Sequence, residues 1–352
     1  MTEQIREVSD FIIAVNGTNL TVEQRMDVVD LAVSDDISHA GMFTVTMNIW
    51  DSNRQEFKWI DEDIFAEGKE VEIKVGYADE VKELITGDIT ALEPGFHEGD
   101  VPTLKIRGYD KLHLSFRGRK SRSFLKMKDS DIAQQIAGEL GLRVQADQTS
   151  EKHEYVFQNN QSDIEFLLQR ARRIRYEVFV KEKTLYFRKA NNNAGKHVTL
   201  EYGNTLKSFY PRLSTMNQVD EVIVQAWDPM TKKTIRGKAG TGDVVSKMSG
   251  SKLGMEISKK VFGKRQIFVV DKPIFSNGEA LQIAKGKVND VAVEFIKGEG
   301  SAIGNPDIRA GEVIELVRLG ERFSGLYYVI ASTHVVNQNG YTTKFTVERT
   351  AA

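Results

Sequence analysis

The stretch Phe43-Thr44-Val45-Thr46-Met47-Asn48-Ile49 alternates apolar and polar residues over its whole length. A period of two places every second side chain on one face, so this stretch predicts a β-strand with one buried face. Similar alternation occurs at 71–75 and at 103–107, with glycine-containing turns between the runs. The first 110 residues therefore predict short antiparallel strands in a small barrel or sandwich. The residues expected to point into its core are Phe43, Val45, Met47 and Ile49.

A later part of the chain repeats the order of these elements. Three pairs of segments match: 43–51 with 222–228, 68–73 with 311–316, and 103–107 with 343–347. Self-similarity in a fixed order is typical of duplicated structure. We interpret it as two similar antiparallel β-barrels in one chain. Two unrelated β-domains built from similar strands are the alternative.

Each of the first matched pair of strands ends in Trp-Asp, at Trp50 and at Trp227. Val222, Val224 and Ala226 are expected to face the core of the second barrel, which leaves both tryptophans out of phase with their cores. We expect them at equivalent outward positions, because a large aromatic side chain is more useful at a contact between subunits or barrels than in solvent. In the alternative, each tryptophan covers the mouth of its own barrel beneath a loop.

The spacing of the matched elements locates an insertion. Asp51 and Gly68 are 17 residues apart, whereas Asp228 and Gly311 are 83 apart. Helices are indicated elsewhere by the capping box that begins at Ser162 and by a second start at Ser276. The expected fold is mainly β with α+β inserts. Its parts are a first β-barrel over 1–110, an α+β domain over 111–204, a discontinuous second β-barrel over 205–235 and 305–352, and an insertion with a long helix over 236–304.

The composition excludes several kinds of chemistry. The 352 residues carry 48 Lys and Arg against 50 Asp and Glu, so no overall field favours nucleic acid or an anionic membrane. The absence of cysteine removes disulfides, thiolate metal sites and cysteine nucleophiles. The six histidines are scattered, and no phosphate-binding glycine motif or nucleophile elbow occurs. We predict no catalytic residue, metal or cofactor, and we interpret His97-Glu98-Gly99-Asp100 as a hairpin loop in preference to a cation site.

The N-terminus and the apolar content argue against export and membrane insertion. Glu3, Glu7 and Asp10 precede the first apolar run, and their charge is opposite to that of a signal peptide. The longest uncharged stretch, between Arg322 and Lys344, contains polar residues that hydrocarbon would not accept. We expect cytoplasmic synthesis without a signal peptide and no membrane partner.

Two clusters of basic residues remain as candidate binding surfaces. They are Arg117, Arg119, Lys120 and Arg122, and Arg170, Arg172, Arg173 and Arg175. Such residues most simply form a solvated face with ion pairs to nearby acids. An acidic protein partner, or a lumen through which nucleic acid passes, is the alternative.

Two long motifs resemble known families. Ile106-Arg107-Gly108-Tyr109-Asp110-Lys111-Leu112-His113, followed by Arg117-Gly118-Arg119-Lys120-Ser121-Arg122, resembles the phage late control gene D family, whose members are hub proteins of contractile tails. Gly304-Asn305-Pro306-Asp307-Ile308-Arg309-Ala310-Gly311, followed by Arg322-Phe323-Ser324-Gly325-Leu326-Tyr327-Tyr328-Val329, resembles the hub portion of spike proteins in extracellular contractile injection systems. The resemblance covers nearly the whole chain.

The resemblance implies a structural protein without enzymatic activity, the hub of a contractile-tail or injection-system baseplate. Such hubs are homotrimers in which each chain supplies two similar β-barrels, so that six barrels adapt a three-fold spike to a six-fold tail tube. The implied partners are the tail-tube protein, other baseplate proteins, a cargo or tape-measure protein, and nucleic acid only in a DNA-delivering phage. The implied location, after synthesis in the bacterial cytoplasm, is a phage tail baseplate, a tailocin or an extracellular injection system. The candidate family-motif and assembly residues are Gly108, Tyr109, Asp110, Arg117, Arg119, Asn305, Pro306, Gly325, Tyr327, Tyr328, Trp50 and Trp227.

Many members of these families continue into an OB-fold and a β-helical needle, or carry a lysozyme domain, whereas this sequence ends at Ala352. A separate spike or needle protein is therefore expected. Two other functions stay open. A β-rich adhesion or carbohydrate-binding module would not need duplicated barrels, and a cell-wall hydrolase component would need an acid/base pair that the sequence does not show.

Overall fold

The computed structural model describes residues 9–78, 80–271 and 273–352. Glu3 and Glu7, which carry part of the argument against a signal peptide, lie outside these ranges. Strands account for 49% of the chain and helices for 20%, which confirms the expected mainly β class. Within the described ranges, no helix combines the length and the apolar character needed to cross a membrane.

Residues 9–110 form strands whose burial alternates along their length. In chain order the elements are β1 (Ser9–Val15), β2 (Thr18–Asn19), α1 (Val22–Met26), β3 (Val28–Asp36), β4 (Met42–Asn48), β5 (Trp50–Asp51), β6 (Glu56–Phe57), β7 (Glu70–Tyr77), β8 (Glu80–Gly95) and β9 (Thr103–Asp110). Phe43, Val45, Met47 and Ile49 are buried in one apolar core, which confirms their predicted orientation.

Residues 120–189 combine two helices with two small sheets. The elements are β10 (Lys120–Lys128), α2 (Asp129–Glu139), β11 (Arg143–Ala146), β12 (Lys152–Gln161), α3 (Asp163–Arg173), β13 (Tyr176–Lys181) and β14 (Thr184–Lys189). The sheets are β10-β12 and β11-β14-β13. Helix α3 begins at the predicted capping box, where the Ser162 hydroxyl accepts the Glu165 N–H at 3.3 Å and the Glu165 carboxylate accepts the Ser162 N–H at 2.9 Å.

The rest of the chain returns to the first sheet after a second α+β part. The elements are β15 (Val198–Glu201), β16 (Leu206–Leu213), β17 (Glu221–Asp228), β18 (Lys233–Gly240), α4 (Gly254–Phe262), β19 (Gln266–Val269), α5 (Asn277–Val293), β20 (Ile296–Ile303), β21 (Val313–Val317), α6 (Gly320–Phe323), β22 (Gly325–Asn337) and β23 (Gly340–Arg349). Strands β17, β18 and β19 form a separate sheet that packs against α5.

One sheet of 13 strands joins the beginning of the chain to its end. Its main path is β16-β20-β23-β22-β3-β4-β9-β8-β7-β1-β2, and β21 and β15 branch from β22. Strand β8 pairs with β7 through its first half and with β9 through its second half. Strand β22 divides in the same way, with β21 on its first half and β3 on its second.

Two similar antiparallel β-barrels were expected, and the described strands form no closed barrel. Both sets of strands belong to the same sheet, and no sheet in the described ranges closes on itself. Because β22 pairs with β3, the edge that would close one barrel instead continues into the neighbouring set of strands.

The predicted limits of the insertion also need correction. Strand β17 and the first three residues of β18 were assigned to the second barrel, but Val222 and Val224 pack in the core around α5. Strand β20 was assigned to the insertion, but it pairs with β16 and β23 in the large sheet. Because β20 has glycines at buried positions, its sequence lacks the alternation of apolar and polar residues that predicts a strand. A Cβ on Gly298 or Gly300 would lie within 3 Å of a phenylalanine ring, so these positions cannot carry the alternating apolar side chains of β4.

Candidate assembly surface

The large sheet contains two sets of strands with the same order. We call β3-β4-β9-β8-β7-β1 the first unit and β16-β20-β23-β22-β21-β15 the second unit. Neighbours are antiparallel in both units except that β15 runs parallel to β21. The chain is therefore duplicated in its topology, and the strand that corresponds to β4 is β20, not β17.

Irregularities occur at the same places in both units. The ladder of β3 with β4 shifts between Val28 and Asp30, and that of β16 with β20 shifts between Leu206 and Ser208. The ladder of β8 with β9 shifts between Ile89 and Ala91, and that of β22 with β23 shifts between Val329 and Ala331. Bulges are specific features of a strand pair, so they fix which residues of the two units correspond.

The glycines of the matched segments 68–73 and 311–316 confirm this correspondence. The Gly68 N–H donates to the Ile89 carbonyl at 2.8 Å, and the Gly311 N–H donates to the Val329 carbonyl at 2.8 Å. Both glycines have φ near +82°. The match of 103–107 with 343–347 falls on corresponding strands but is one residue out, because the registers place Thr103 with Thr342.

The two units meet in a seam where the second half of β22 pairs with β3. The ladder is antiparallel, with Ala331 opposite Asp36 at one end and Asn337 opposite Asp30 at the other. The hydroxyl oxygens of Ser34 and Thr333 lie 3.0 Å apart across it. On the core side of the ladder the side chains are buried, among them Leu31, Val33, His334 and Val336.

Arg309, from the second family motif, holds this seam together. Its Nε donates to Asp35 Oδ2 at 2.6 Å, and its other nitrogens donate to the carbonyl oxygens of Leu84 at 2.7 Å and Glu83 at 3.3 Å. The Ser332 hydroxyl also donates to Asp35. Burial alone would raise the pKa of Asp35, but the Arg309 charge, together with His334 and the hydrogen bonds, holds it below its ordinary value.

Two other titratable groups lie near the seam. Burial raises the pKa of Asp110 to about 7, although the N–H groups of Gly41 and Leu112 donate to its two oxygens at 2.7 and 2.9 Å. Burial lowers the pKa of His334 to about 4. Asp35 and Asp110 both line a cavity of about 480 Å³. Both carboxylates are nevertheless occupied by structural hydrogen bonds.

The residues of the first family motif mostly organise the chain locally. Gly108 allows the Phe43 ring to lie against the backbone, since a Cβ there would be 2.2 Å from the ring. Tyr109 is half-buried and Arg117 is exposed. Arg119 donates to the Asn160 carbonyl at 2.8 Å and lies 3.1 Å from Glu165.

The residues of the second family motif lie largely inside the molecule. The Asn305 N–H donates to Thr343 Oγ1 at 3.0 Å, and half-buried Pro306 follows it. Gly325 has φ +137°, a conformation that favours glycine. Tyr327 and Tyr328 are fully buried. The Tyr327 hydroxyl donates to the Phe323 carbonyl at 2.8 Å, and the Tyr328 hydroxyl donates to the Glu177 carboxylate of β13.

The basic clusters form ion pairs within the chain. Arg122 pairs with Glu139 at 2.6 Å, and Arg170 pairs with Asp129 at 2.6 Å. Arg173 and Arg175 pair at 2.8 Å with Glu279 and Asp290, respectively. These contacts agree with the ion-pair interpretation of the clusters and leave Arg117 and Arg172 among their exposed members.

Trp50 and Trp227 are not at equivalent positions, since β5 and β17 belong to different sheets. Their shared sequence reflects a shared turn. The carboxylates of Asp51 and Asp228 each accept, at 2.9 Å, the N–H of the residue two positions later.

The surroundings of the two tryptophans also differ. Trp50 packs edge-on against Phe57 at 5.1 Å, and Phe57 packs edge-on against Phe96 at 5.6 Å. Phe96 follows the last residue of β8, so this aromatic group lies at the end of that strand. Trp227 is 61% exposed at the end of β17.

Besides the outer sides of β15 and of most of β1, two strand edges of the units have no partner within the described ranges. They are the second half of β8, Ala91 to Gly95, on the side away from β9, and β16 from Ser208 to Leu213 on the side away from β20. Sequence reasoning did not find them, although Pro94 and Pro211 were a signal, because proline within a sheet is confined to edges. In the described ranges, His, Asp and Glu form no group of three that could hold a metal ion.

The same fold occurs in solved structures. The 43 kDa tail protein of prophage MuSo2 from Shewanella oneidensis aligns over 97% of this chain and 98% of its own, with 14% identity and a TM-score of 0.72. A tail protein from Neisseria meningitidis aligns over 97% and 96%, with 12% identity and a TM-score of 0.68. The E. coli c3393 protein, a component of the type VI secretion system, aligns over 96% and 77%, with 11% identity and a TM-score of 0.60.

At these identities the similarity establishes the fold, and it confirms at that level the resemblance to contractile-tail proteins that the motifs indicated. No curated protein matches the sequence significantly. A family model described as the Alg8 N-terminal domain matches residues 6–338, and the chain belongs to that family.

Proposed function

We propose that this chain is the structural hub of a contractile-tail or injection-system baseplate, a ring-shaped homotrimer that joins a three-fold spike to a six-fold tube. Its fold is shared with phage tail proteins and with a type VI secretion component over nearly the whole chain, which supports this role. Its partners are the tail-tube protein, a separate spike or needle protein and other baseplate proteins. The assembled particle is its final location.

The observation that carries the proposal is the duplicated strand order of the two units. Three copies of a chain with two similar units present six similar units around a three-fold axis. A six-fold tube then meets six nearly equivalent surfaces on one side, while a three-fold spike meets three identical chains on the other. In this role the two units take the place of the two barrels expected from the sequence. An adhesion or carbohydrate-binding module would have no use for the duplication.

The buried acids argue against a hydrolase. General acid/base catalysis needs a carboxyl group free to exchange a proton with substrate. Asp110 has a raised pKa and lines a cavity, but both of its oxygens accept backbone N–H groups. Asp35, in the same cavity, is bound to Arg309 and Ser332. We propose that Asp35 holds the seam, that Asp110 holds the backbone at Gly41 and Leu112, and that neither carboxylate takes part in catalysis.

The first prediction concerns the oligomeric state. The chain, produced together with its spike partner, is expected to appear in native mass spectrometry as a complex containing three copies. The unpaired sheet edges need partners, which is the physical reason for assembly. A stable complex containing a single copy of the chain would contradict the proposed function.

The second prediction concerns activity. The purified chain is expected to produce no clearing in a peptidoglycan zymogram. Clearing by the native protein that is lost in Asp110→Asn or Asp35→Asn, with the fold checked by circular dichroism, would identify a catalytic carboxylate and overturn the structural assignment.

A further inference from the structure

We propose that the free edge of β8 in one copy pairs with the free edge of β16 in the next, antiparallel, with Glu93 opposite Arg212. This inference deepens the proposed function and rests on it, because it names the surfaces through which the copies join. It states which residues of the two copies lie opposite each other. This register follows from the register of the seam within one chain.

The first step is the position of the two free edges. The path β16-β20-β23-β22-β3-β4-β9-β8 runs from one free edge to the other, and its neighbouring strands are antiparallel throughout. In the centre of this path, β22 of the second unit pairs with β3 of the first. Strand β8 corresponds to β22, and β16 corresponds to β3. The free edges of β8 and β16 therefore correspond to the edges of β22 and β3, which pair with each other within the chain.

The second step is the register. Ile89 corresponds to Val329 across the bulge of β8, so Glu93 corresponds to Thr333. Val28 corresponds to Leu206 across the bulge of β3, so Ser34 corresponds to Arg212. Thr333 lies opposite Ser34 in the seam. The same ladder between copies places Glu93 opposite Arg212, two exposed side chains of opposite charge.

The third step is the chemistry of the neighbouring rungs. With Glu93 opposite Arg212, the residues on the other face pair as Leu92 with Leu213, Pro94 with Pro211, and Phe96 with Phe209. All of these side chains are apolar. Leu92, Phe209 and Leu213 pack against the cores of their units, whereas Pro94 and Phe96 are exposed. A shift by one residue would place each of them opposite a residue of the other face, so the apolar pattern favours this register.

The prolines restrict the possible registers. Proline is tolerated in a sheet only where its missing N–H faces away from the paired strand, so Pro94 and Pro211 both face the free edges. In an antiparallel ladder, residues whose backbone groups face the partner lie opposite each other. Pro94 must therefore lie opposite Pro211 or opposite a residue an even number of positions from it, and the register with Glu93 opposite Arg212 meets this condition.

Side chains at the two free edges are more exposed to solvent than the corresponding side chains in the seam. Val336 in the seam is 8% exposed, whereas Phe96, which corresponds to it, is 56% exposed. Val33 is 2% exposed, whereas its counterpart Pro211 is half-buried. Leu92 packs against the core of the first unit, and Phe209 and Leu213 pack against that of the second, all with part of their surface uncovered. Pairing between copies would join the two cores as the seam does within one chain.

Disulfide trapping tests the register, because the chain contains no cysteine. The double variant Glu93→Cys/Arg212→Cys, produced with its spike partner and oxidised with copper phenanthroline, is expected to run as a covalent species of three chains on a non-reducing gel. Directly opposed residues in an antiparallel pair have the Cα separation that a disulfide needs. A mixture of the two single variants should give covalent dimers only.

Two matched controls use the same chain. Ser34→Cys/Thr333→Cys is the corresponding pair within the seam. It is expected to form a disulfide inside one chain and to run on the gel as a single chain. Glu93→Cys/Tyr210→Cys is two residues out of register and is expected to remain reduced. Native mass spectrometry of each reduced variant shows whether the assembly itself is intact.

The outcomes separate this inference from the proposed function. Three copies in native mass spectrometry without cross-linking of Glu93→Cys/Arg212→Cys, or with equal cross-linking of the out-of-register pair, would overturn the register and leave the trimer. Cross-linking into open ladders of increasing length would support the edge contact and contradict the closed trimer. A single copy with no cross-link would overturn both.

Discussion

Replacing Arg309 with methionine is expected to lower the free energy of unfolding by about 3 to 5 kcal/mol, the usual cost of removing one partner of a buried ion pair. The change leaves the Asp35 carboxylate without its cation, and it removes the guanidinium donor from the carbonyl oxygens of Glu83 and Leu84. Urea unfolding followed by circular dichroism measures the effect. Lys82→Met is the matched control, since the Lys82–Asp307 pair is more exposed and its loss should cost less than about 1 kcal/mol.

The loss of unfolding free energy caused by Arg309→Met should also depend on pH. In the native chain the pKa of Asp35 lies below its ordinary value of 3.8, so the group contributes stability above that value and loses it as the pH falls below it. Without Arg309, burial raises the pKa of Asp35, and the variant loses stability as the pH rises above about 4. The difference between the two proteins should therefore be larger at pH 8 than at pH 4. An equal loss of stability at pH 4 and pH 8 would show that Arg309 acts through packing alone. The same conclusion would follow if the double variant Asp35→Asn/Arg309→Met were no more stable than Arg309→Met.

Local signals in the sequence predicted local structure well. The alternation of 43–49 identified β4 and its buried face, because period two is a property of a single strand. The capping box at Ser162 identified the first turn of α3 because both of its hydrogen bonds lie within four residues. The glycines at 68 and 311 were matched correctly because a left-handed glycine at the start of a strand is also a local requirement.

Strand partners could not be predicted in the same way, since they depend on contacts far apart in the chain. Strand β16 pairs with β20 across the whole second α+β part, and β20 carries glycines where β4 carries core side chains. The Trp-Asp repeat was misleading because an aspartate that accepts backbone N–H groups makes the same turn after any strand. The predicted duplication was therefore right in topology and wrong for one of its strand pairs.

The candidate site was predictable only in part. The family motifs contained Gly108 and Arg309, which the structure places at a bulged strand pair and at the seam. The free edges were missed because an edge is defined by what is absent beside a strand, and a sequence pattern describes only the strand itself. Trp50 was expected at a contact between subunits or barrels; within the chain it packs against Phe57, in an aromatic group that ends at Phe96 beside the β8 edge.

Gly108→Ala is expected to destabilise the chain by about 3 kcal/mol, the upper part of the usual range for overpacking. A Cβ at this position would lie 2.2 Å from the Phe43 ring and 2.3 Å from the Asp88 carbonyl oxygen. The ring can turn, but the carbonyl belongs to β8, which is held by β7 and β9 on its two sides. The backbone of the first unit must therefore shift, and the ladder beside the bulge at Thr90 should open with it.

Gly138→Ala is the matched control for this change, because a Cβ on Gly138 would meet no atom within 4 Å and the residue lies inside α2. It should stabilise the chain by up to about 1 kcal/mol through helix propensity alone. Phe43→Leu then separates the two collisions at Gly108. If the ring carries part of the strain, the double variant will be less unstable than the sum of the single variants by about 1 kcal/mol. If the two losses of stability are strictly additive, the strain arises at the Asp88 carbonyl. An unchanged unfolding midpoint for Gly108→Ala would contradict the close packing of β4, β8 and β9.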